Sequence, residues 1–357
     1  MEFPSLQGKS VFVTGHTGFK GSWLSLWLKR LGAEVTGYAL PPDTQPNLFG
    51  LAGVEDVLAR HHEGDIRDLA GLTAAMKAAA PDLVFHLAAQ PLVRRSYREP
   101  VATWEINVMG TLHLLEAVRS CPCVKGVIAI TSDKCYENRE WLWGYRESDP
   151  LGGHDPYSAS KAGAELVVQS YRKSFFAAEG PLIASVRAGN VIGGGDFGED
   201  RLIPDAARAV AVKQSLLLRN PQATRPWQHV LSALHGYLLL AEHLLAGDAS
   251  FAEPFNFGPD ATGNLTVLEV LSRLQNYWPA LAWHVEAVAS SAAPHEARFL
   301  YLDSAKARRR LGWAPRWSLE TGLKQTAIWY DAWVKSADMV SVTQEQIEEY
   351  CRVASPS

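Results

Sequence analysis

Through residue 190, short apolar runs alternate with longer segments of helical period. Val11-Phe12-Val13 is the first run, and a helix with Leu24, Trp27, Leu28 and Leu31 on one face follows a glycine loop. Further strands are predicted at Glu34–Tyr38, closing at Gly64–Asp68, and over Leu83–Gln90, Val127–Ile130 and Ile183–Arg187. Between them, Ile106, Met109, Leu112, Leu115 and Val118 mark one face of a long helix, and another helix opens at Tyr157. This alternation predicts an α/β fold with a doubly wound parallel sheet of Rossmann type. Beyond residue 190, Asn190–Asp196, Leu202-Ile203-Pro204 and Arg219-Asn220-Pro221…Arg225-Pro226-Trp227 are irregular and rich in Gly and Pro. They predict a smaller, irregular α/β domain. The expected division is 1–190, with 228–258 returning to it, against 191–227 and 259–350. Ser304 is predicted to cap a helix ending at Leu311-Gly312. No internal repeat is visible, and Ala354–Ser357 are expected to fray.

The chain has 357 residues, 47% hydrophobic and 20% charged, with net charge -4. These values fit a globular protein and give no basic surface for nucleic acid or an anionic membrane. The opening residues lack a basic segment followed by an apolar one, so no secretory signal is expected. No apolar run reaches the ~18 residues of a membrane span. Cys121, Cys123, Cys135 and Cys351 show neither zinc spacing nor a disulfide framework, so no metal is expected and a reducing cytoplasm fits. Cys121-Pro122-Cys123 reads as a turn after a helix. Of the twelve tryptophans, most read as core, while Trp141 and Trp143 lie in a loop where they could stack on a ligand.

The chemistry begins at Gly15-His16-Thr17-Gly18-Phe19-Lys20-Gly21, between the first strand and the first helix. Glycines there allow a tight turn and close backbone approach, and the helix N-terminus offers N–H groups to a pyrophosphate. The spacing is G-x-x-G-x-x-G. The second strand ends in Tyr38-Ala39-Leu40-Pro41, without the acidic residue expected for an NAD ribose and without an Arg for a 2′-phosphate. NAD is the expected cofactor. Asp65 and Ile66 are placed beside the adenine, while Asp68 reads as a helix cap. Ala88, Ala89 and Gln90 end a strand in residues small enough to admit a cofactor. His86 reads as a satisfied core histidine, and Asn107 as a buried brace. Thr131-Ser132-Asp133-Lys134 follow an apolar strand at the end where ligands bind open α/β sheets. Tyr157 and Lys161, four apart, share one helix face. A nearby ammonium would lower the phenol pKa from ~10 and make Tyr157 a general base. Arg225 and Arg298 are candidates for a diphosphate clamp.

Together, T-G-H-T-G-F-K-G at Thr14–Gly21, H-L-A-A-Q at His86–Gln90, Asn107, Y-S-A-S-K at Tyr157–Lys161, R-A-G-N-V-I-G at Arg187–Gly193 and L-G-W-A-P at Leu311–Pro315 resemble one family. It is the extended short-chain dehydrogenase/reductase family acting on nucleotide sugars. T-S-D-K at Thr131–Lys134, E-N-R-E-W-L-W-G-Y-R-E at Glu137–Glu147 and N-P-Q-A-T-R-P-W-Q-H-V at Asn220–Val230 resemble its branch that dehydrates CDP-glucose. The resemblance implies a lyase with NAD regenerated in each turnover, held by Gly15, Thr17, Gly18, Phe19, Gly21, Asp65, Ile66, Ala88, Ala89, Gln90, Asn107, Tyr157 and Lys161. It implies catalysis by Ser132, Asp133, Lys134, Tyr157 and Lys161, and substrate contacts from Asn190, Arg225 and Arg298. Tyr157 would take the carbon-4 hydroxyl proton, with Ser132 bonding the sugar nearby. Asp133, kept protonated, would assist loss of water from carbon 6. Other dehydratases carry Glu where Lys134 stands, so Lys134 is either a neutral base at carbon 5 or an electrostatic stabiliser of the enolate. A homodimer around the Asn107 and Lys161 helices, or a tetramer of two such dimers, is expected, serving deoxyhexose synthesis for O-antigen. The rivals are a 4-epimerase or 4-reductase, which need no acid for water loss, and a non-catalytic NAD(P)-binding protein.

Overall fold

The structure, a computed structural model, describes residues 2–177, 179–218, 220–259, 263–285 and 299–353. Arg219, Arg298 and Ala354–Ser357 lie outside the described residues. Seven parallel strands form the main sheet: β1 (Ser10–Thr14), β2 (Glu34–Ala39), β3 (Arg60–Glu63), β4 (Leu83–His86), β5 (Gly126–Ile130), β6 (Leu182–Ala188) and β7 (Pro254–Phe257). Their order is β3-β2-β1-β4-β5-β6-β7. The winding reverses between β1 and β4, where Thr14 sits in register with both Tyr38 and His86. A crevice opens at such a reversal, outside the carboxyl ends of the strands.

The apolar runs are strands buried on both faces. Val11 and Val13 join one core with Leu83, Phe85, Ile128 and Ile130. Phe12 points the other way, into a second core with Val84, Val127 and Ala129. On the first face lie α1 (Phe19–Arg30) and α5 (Val230–Leu245), bringing Trp23, Trp27, Leu234 and Leu238. On the second lie α2 (Leu69–Ala79), α3 (Gly110–Arg119) and α4 (Pro156–Ser174), with Leu72, Leu114 and Val168. Each such side chain contributes roughly 1.5–3 kcal/mol on burial, which is why the helices lie flat on the sheet.

The single apolar face expected from Ile106 to Val118 is interrupted. Pro100–Trp104 is α-helical, Glu105–Met109 is a π-helical turn, and α3 continues from Gly110. The wider turn changes the facing of the side chains: Asn107 is buried while Met109 is 43% exposed. Trp104, on the preceding helical turn, is 43% exposed as well. The Ser304 expectation is corrected as well. Its hydroxyl accepts from Gly258 N (2.8 Å), and Asp303 Oδ1 takes the Ala305 N–H at the start of that helix (2.8 Å). Gly312 ends the helix at φ +63°, as expected.

After β6 the chain builds two-stranded pieces: Val191–Ile192 with Gln228–His229, Thr224–Pro226 with Asn264–Thr266, and Leu216–Leu218 with Trp283–Val285. Helices Leu319–Val334 and Met339–Arg352 close against this region and against α1, where Tyr350 meets Trp27 edge-on at 5.6 Å.

Candidate active site

The glycine loop is a cradle that side chains would fill. A Cβ on Gly15 (φ +74°) would lie 2.6 Å from Ala88 N, and one on Gly21 would lie 2.1 Å from Gly15 O. β1, the loop and the end of β4 can therefore meet only without side chains there. Thr14 Oγ1 completes the seam, accepting from Ala88 N (3.2 Å) and bonding His86 Nδ1 (2.8 Å). Gly18 is the N-cap residue of α1 and gives it no side-chain cap. Thr17 Oγ1 donates to Leu40 O (2.8 Å), tying the loop to the exit of β2. At that exit Tyr38 stands where an acid was expected, and its hydroxyl donates to Asp65 O (3.2 Å). The Asp65 carboxylate is bidentate with Arg67, which holds its pKa below the usual range. Asp68 caps α2 and Ile66 is buried beside it. This cradle, with an uncapped helix start, fits a dinucleotide.

Two expected buried groups have partners. His86 bonds Thr14 and Thr111 (3.0 Å), and burial pushes its pKa to about 3. Asn107 holds Gln90 through both backbone groups, at 2.8 Å from N and 3.1 Å to O, and donates to Ser160 Oγ (2.8 Å). That one side chain ties the end of β4, with Ala88 and Ala89, to the helix of Tyr157.

α4 opens on Asp155-Pro156. Asp155 accepts from Ser158 N (2.9 Å), and Pro at the first position costs no hydrogen bond. Tyr157 and Lys161 therefore emerge from the first two turns, and both are buried. Their electrostatics differ from expectation. Burial pushes the Tyr157 phenol up to about 12, against the pull of Ser132 and Arg201. Lys161 donates to Ile130 O (3.4 Å), and burial brings its own pKa down to about 8. In this state burial of the phenol outweighs any help from the ammonium.

Ser132, Asp133 and Lys134 form a short turn directly after β5. Ser132 Oγ donates to Asp133 Oδ1 (2.9 Å) and accepts from Lys134 N (3.2 Å). Asp133 is 3% exposed. Burial raises its pKa, against Lys134 first and then Ser132, Lys20 and Arg225. A Cβ on Gly189 would lie 3.1 Å from Asp133 Oδ2, so the carboxyl rests on the backbone just past β6. The turn thus brings two groups that can exchange protons to one crest, a phenol and a carboxyl whose pKa burial has raised.

Arg225 is buried, donates to Thr224 O (2.8 Å) and acts on Asp133. Asn190 follows β6, and its carbonyl accepts from Gln228 N (3.1 Å). Five residues were not anticipated. Lys20 and Arg201 place positive charge around Asp133, Tyr157 and Lys161, and burial brings Lys20 down to about 8. Asp196 holds Arg201 (2.9 Å). Glu165 and Arg187 form a buried pair behind the turn. Lys20 lay inside the glycine motif and Glu165 one turn beyond Lys161, so both carried a local signal. Trp141 stacks on Tyr145 at 5.3 Å, and Trp143 is 69% exposed. No helix among the described residues is long and apolar enough to cross a membrane, and none of their His, Cys, Asp and Glu side chains cluster to hold a metal.

Residues 12–326 match the model of the GDP-mannose 4,6 dehydratase family, and the chain belongs to that family. It is 49% identical to the CDP-glucose 4,6-dehydratase of Salmonella typhimurium, over 96% of both chains. A dTDP-glucose 4,6-dehydratase of Xanthomonas campestris is 27% identical over 90% of this chain and 94% of its own. Among solved structures, a dTDP-glucose 4,6-dehydratase of Streptomyces venezuelae with NAD bound superposes with TM-score 0.76 at 26% identity, covering 92% of this chain and 99% of its own.

Proposed function

We propose that the chain is an NAD-dependent dehydratase that converts CDP-glucose to CDP-4-keto-6-deoxyglucose and water. One observation carries this reading: Tyr157 with Lys161, and a buried Asp133 with its pKa raised, converge on the same crest. Proton removal at carbon 4 needs the first group. Only water loss needs the second, which a 4-epimerase or 4-reductase would not use. The CDP sugar rests on the 49% identity to a CDP-glucose 4,6-dehydratase.

Gly15, Thr17, Gly18, Phe19, Gly21, Asp65, Ile66, Ala88, Ala89 and Gln90 would hold NAD along the cradle, with Asn107 bracing and Tyr157 and Lys161 at its nicotinamide end. Bound NAD would supply reversible hydride acceptance and a positive charge that favours the phenolate. Tyr157 takes the proton of the carbon-4 hydroxyl, and Ser132 bonds the sugar beside it. The ketone so formed acidifies carbon 5, whose proton passes to solvent and is replaced from solvent after water has left carbon 6. Asp133 gives its proton to the departing carbon-6 hydroxyl. Lys134 acts by charge, stabilising the enolate. Asn190, Arg225 and Arg298 would hold the nucleotide diphosphate.

Residues 1–190 with 228–258 would be the NAD unit, and 191–227 with 259–350 the sugar-nucleotide unit. The outer face of the Asn107 helix carries Val101 (69% exposed), Trp104 and Met109, an apolar strip suited to pairing two copies. The product would enter deoxyhexose synthesis in the cytoplasm, for surface polysaccharide such as O-antigen. Mass spectrometry of the purified protein with CDP-, UDP-, GDP- and dTDP-glucose tests the reading. Loss of one water from the CDP sugar alone supports it. Loss from another sugar overturns the base, and no loss from any overturns the activity.

A further inference from the structure

Behind the crest lies a buried ion pair that the reaction steps above do not use. Glu165 and Arg187 are each 3% exposed in their side chains. They meet through two parallel bonds, Nε to Oε1 at 2.9 Å and one terminal nitrogen to Oε2 at 2.8 Å. Ser185 Oγ adds a third at 2.8 Å. Burial pushes the Glu165 carboxyl up, but Arg187 and these donors bring its pKa below the usual range. Glu165 stands on α4 one turn beyond Lys161, and Arg187 stands in β6.

Each partner also grips one end of the turn that carries Asp133. Thr131, leaving β5, donates its hydroxyl to Glu165 Oε1 (2.5 Å). Tyr136 accepts from Arg187 (2.7 Å), with the guanidinium 4.9 Å from its ring centre, and donates to Asn256 Oδ1 (2.7 Å) in β7. Only Ser132, Asp133, Lys134 and Cys135 lie between the two anchors. A segment that short, tied at both ends by charge-assisted bonds, has few backbone states left.

We propose that the Glu165–Arg187 pair is a positioning device for water elimination: by holding Thr131 and Tyr136 it fixes the Asp133 carboxyl against the leaving hydroxyl of the sugar. The proposal rests on the dehydratase reading above. Thr131, Tyr136, Glu165 and Arg187 act through Asp133. The oxidation step depends on Tyr157 and Lys161, which are held mainly by the Asp155 cap and by Asn107 through Ser160, although Lys161 also reaches Ile130 O and Ser132 lies within the anchored turn. Loss of an anchor should therefore slow elimination more than oxidation.

The experiment is rapid mixing of NAD-loaded protein with CDP-glucose, following both reduced-nicotinamide absorbance and keto-sugar product, for the unsubstituted protein, Thr131→Val, Thr131→Ser and Tyr136→Phe. In Thr131→Val, reduced nicotinamide should accumulate while elimination slows roughly 10- to 100-fold, the cost of a small misplacement of a catalytic group. Thr131→Ser should restore elimination, and Tyr136→Phe should show a smaller accumulation of the same kind. Equal slowing of both steps overturns the proposal, as does elimination at the unsubstituted rate. If Thr131→Val does not fold, as judged by circular dichroism and NAD content, Tyr136→Phe decides by the same two readings. If the unsubstituted protein neither oxidises nor dehydrates CDP-glucose, the dehydratase reading falls, and this proposal with it.

Discussion

Ser132 Oγ donates to Asp133 Oδ1 at 2.9 Å, and both side chains are buried. The bond fixes the direction of a carboxyl whose pKa burial has raised. It leaves Oδ2, beside Gly189, as the oxygen that would carry the proton in the proposed elimination. A positioned acid of this kind is worth ~10²–10⁴-fold in rate.

Asp133→Asn therefore should oxidise the sugar but fail to expel water. Reduced nicotinamide should persist after substrate is added, with dehydration down by about 10²–10⁴-fold. Absorbance of the reduced cofactor, followed with product analysis, checks this.

Lys134 lowers the Asp133 pKa by its charge. Lys134→Met should let Asp133 keep its proton to higher pH. The alkaline limb of kcat, where the acid form is lost, should then move upward. Solvent deuterium should still enter carbon 5 in this variant if, as proposed, Lys134 acts there by charge. Entry abolished would make Lys134 the base.

The folded Lys161 pKa, brought down to about 8 from 10.5, marks a stability cost carried for function. A depressed folded pKa means that the buried ammonium burdens the folded state below pH 8. The burden fades as pH rises from about 8 toward 10.5, where the unfolded state also loses its proton. Lys161→Met should be inactive yet more stable at neutral pH, by on the order of 2 kcal/mol. Its advantage should shrink across that window. Urea denaturation at several pH values measures both.

Gly21→Ala places a Cβ against Gly15 O and must open the loop. The purified variant should carry little NAD and show no NAD-dependent rise in melting temperature, while circular dichroism stays that of the folded protein.

Local features carried the sequence reading furthest. The glycine loop, the Tyr157–Lys161 spacing and the Asp68 cap each lie within a few neighbouring residues, and the strand runs showed themselves because both faces are buried. Features set by distant backbone did not show. Ser304 sits at a helix start, but Gly258 N, from β7's exit, takes its oxygen. The π turn at Glu105–Met109 leaves no mark in an apolar period. Tyr157 looked like a base from its spacing, yet its pKa is set by depth, with Asp133 and Asp155 adding to the rise. The surroundings of Asp133 come from Lys20, Arg225 and Gly189, each from a different part of the chain.

A dehydratase of this kind would oxidise and then reduce one sugar with one bound cofactor. CDP-glucose carrying deuterium at carbon 4, incubated with the purified protein without added NAD, tests it most directly. One deuterium should appear at carbon 6 of the keto sugar, transferred within the same molecule. Deuterium retained at carbon 4, or lost to solvent, would contradict it.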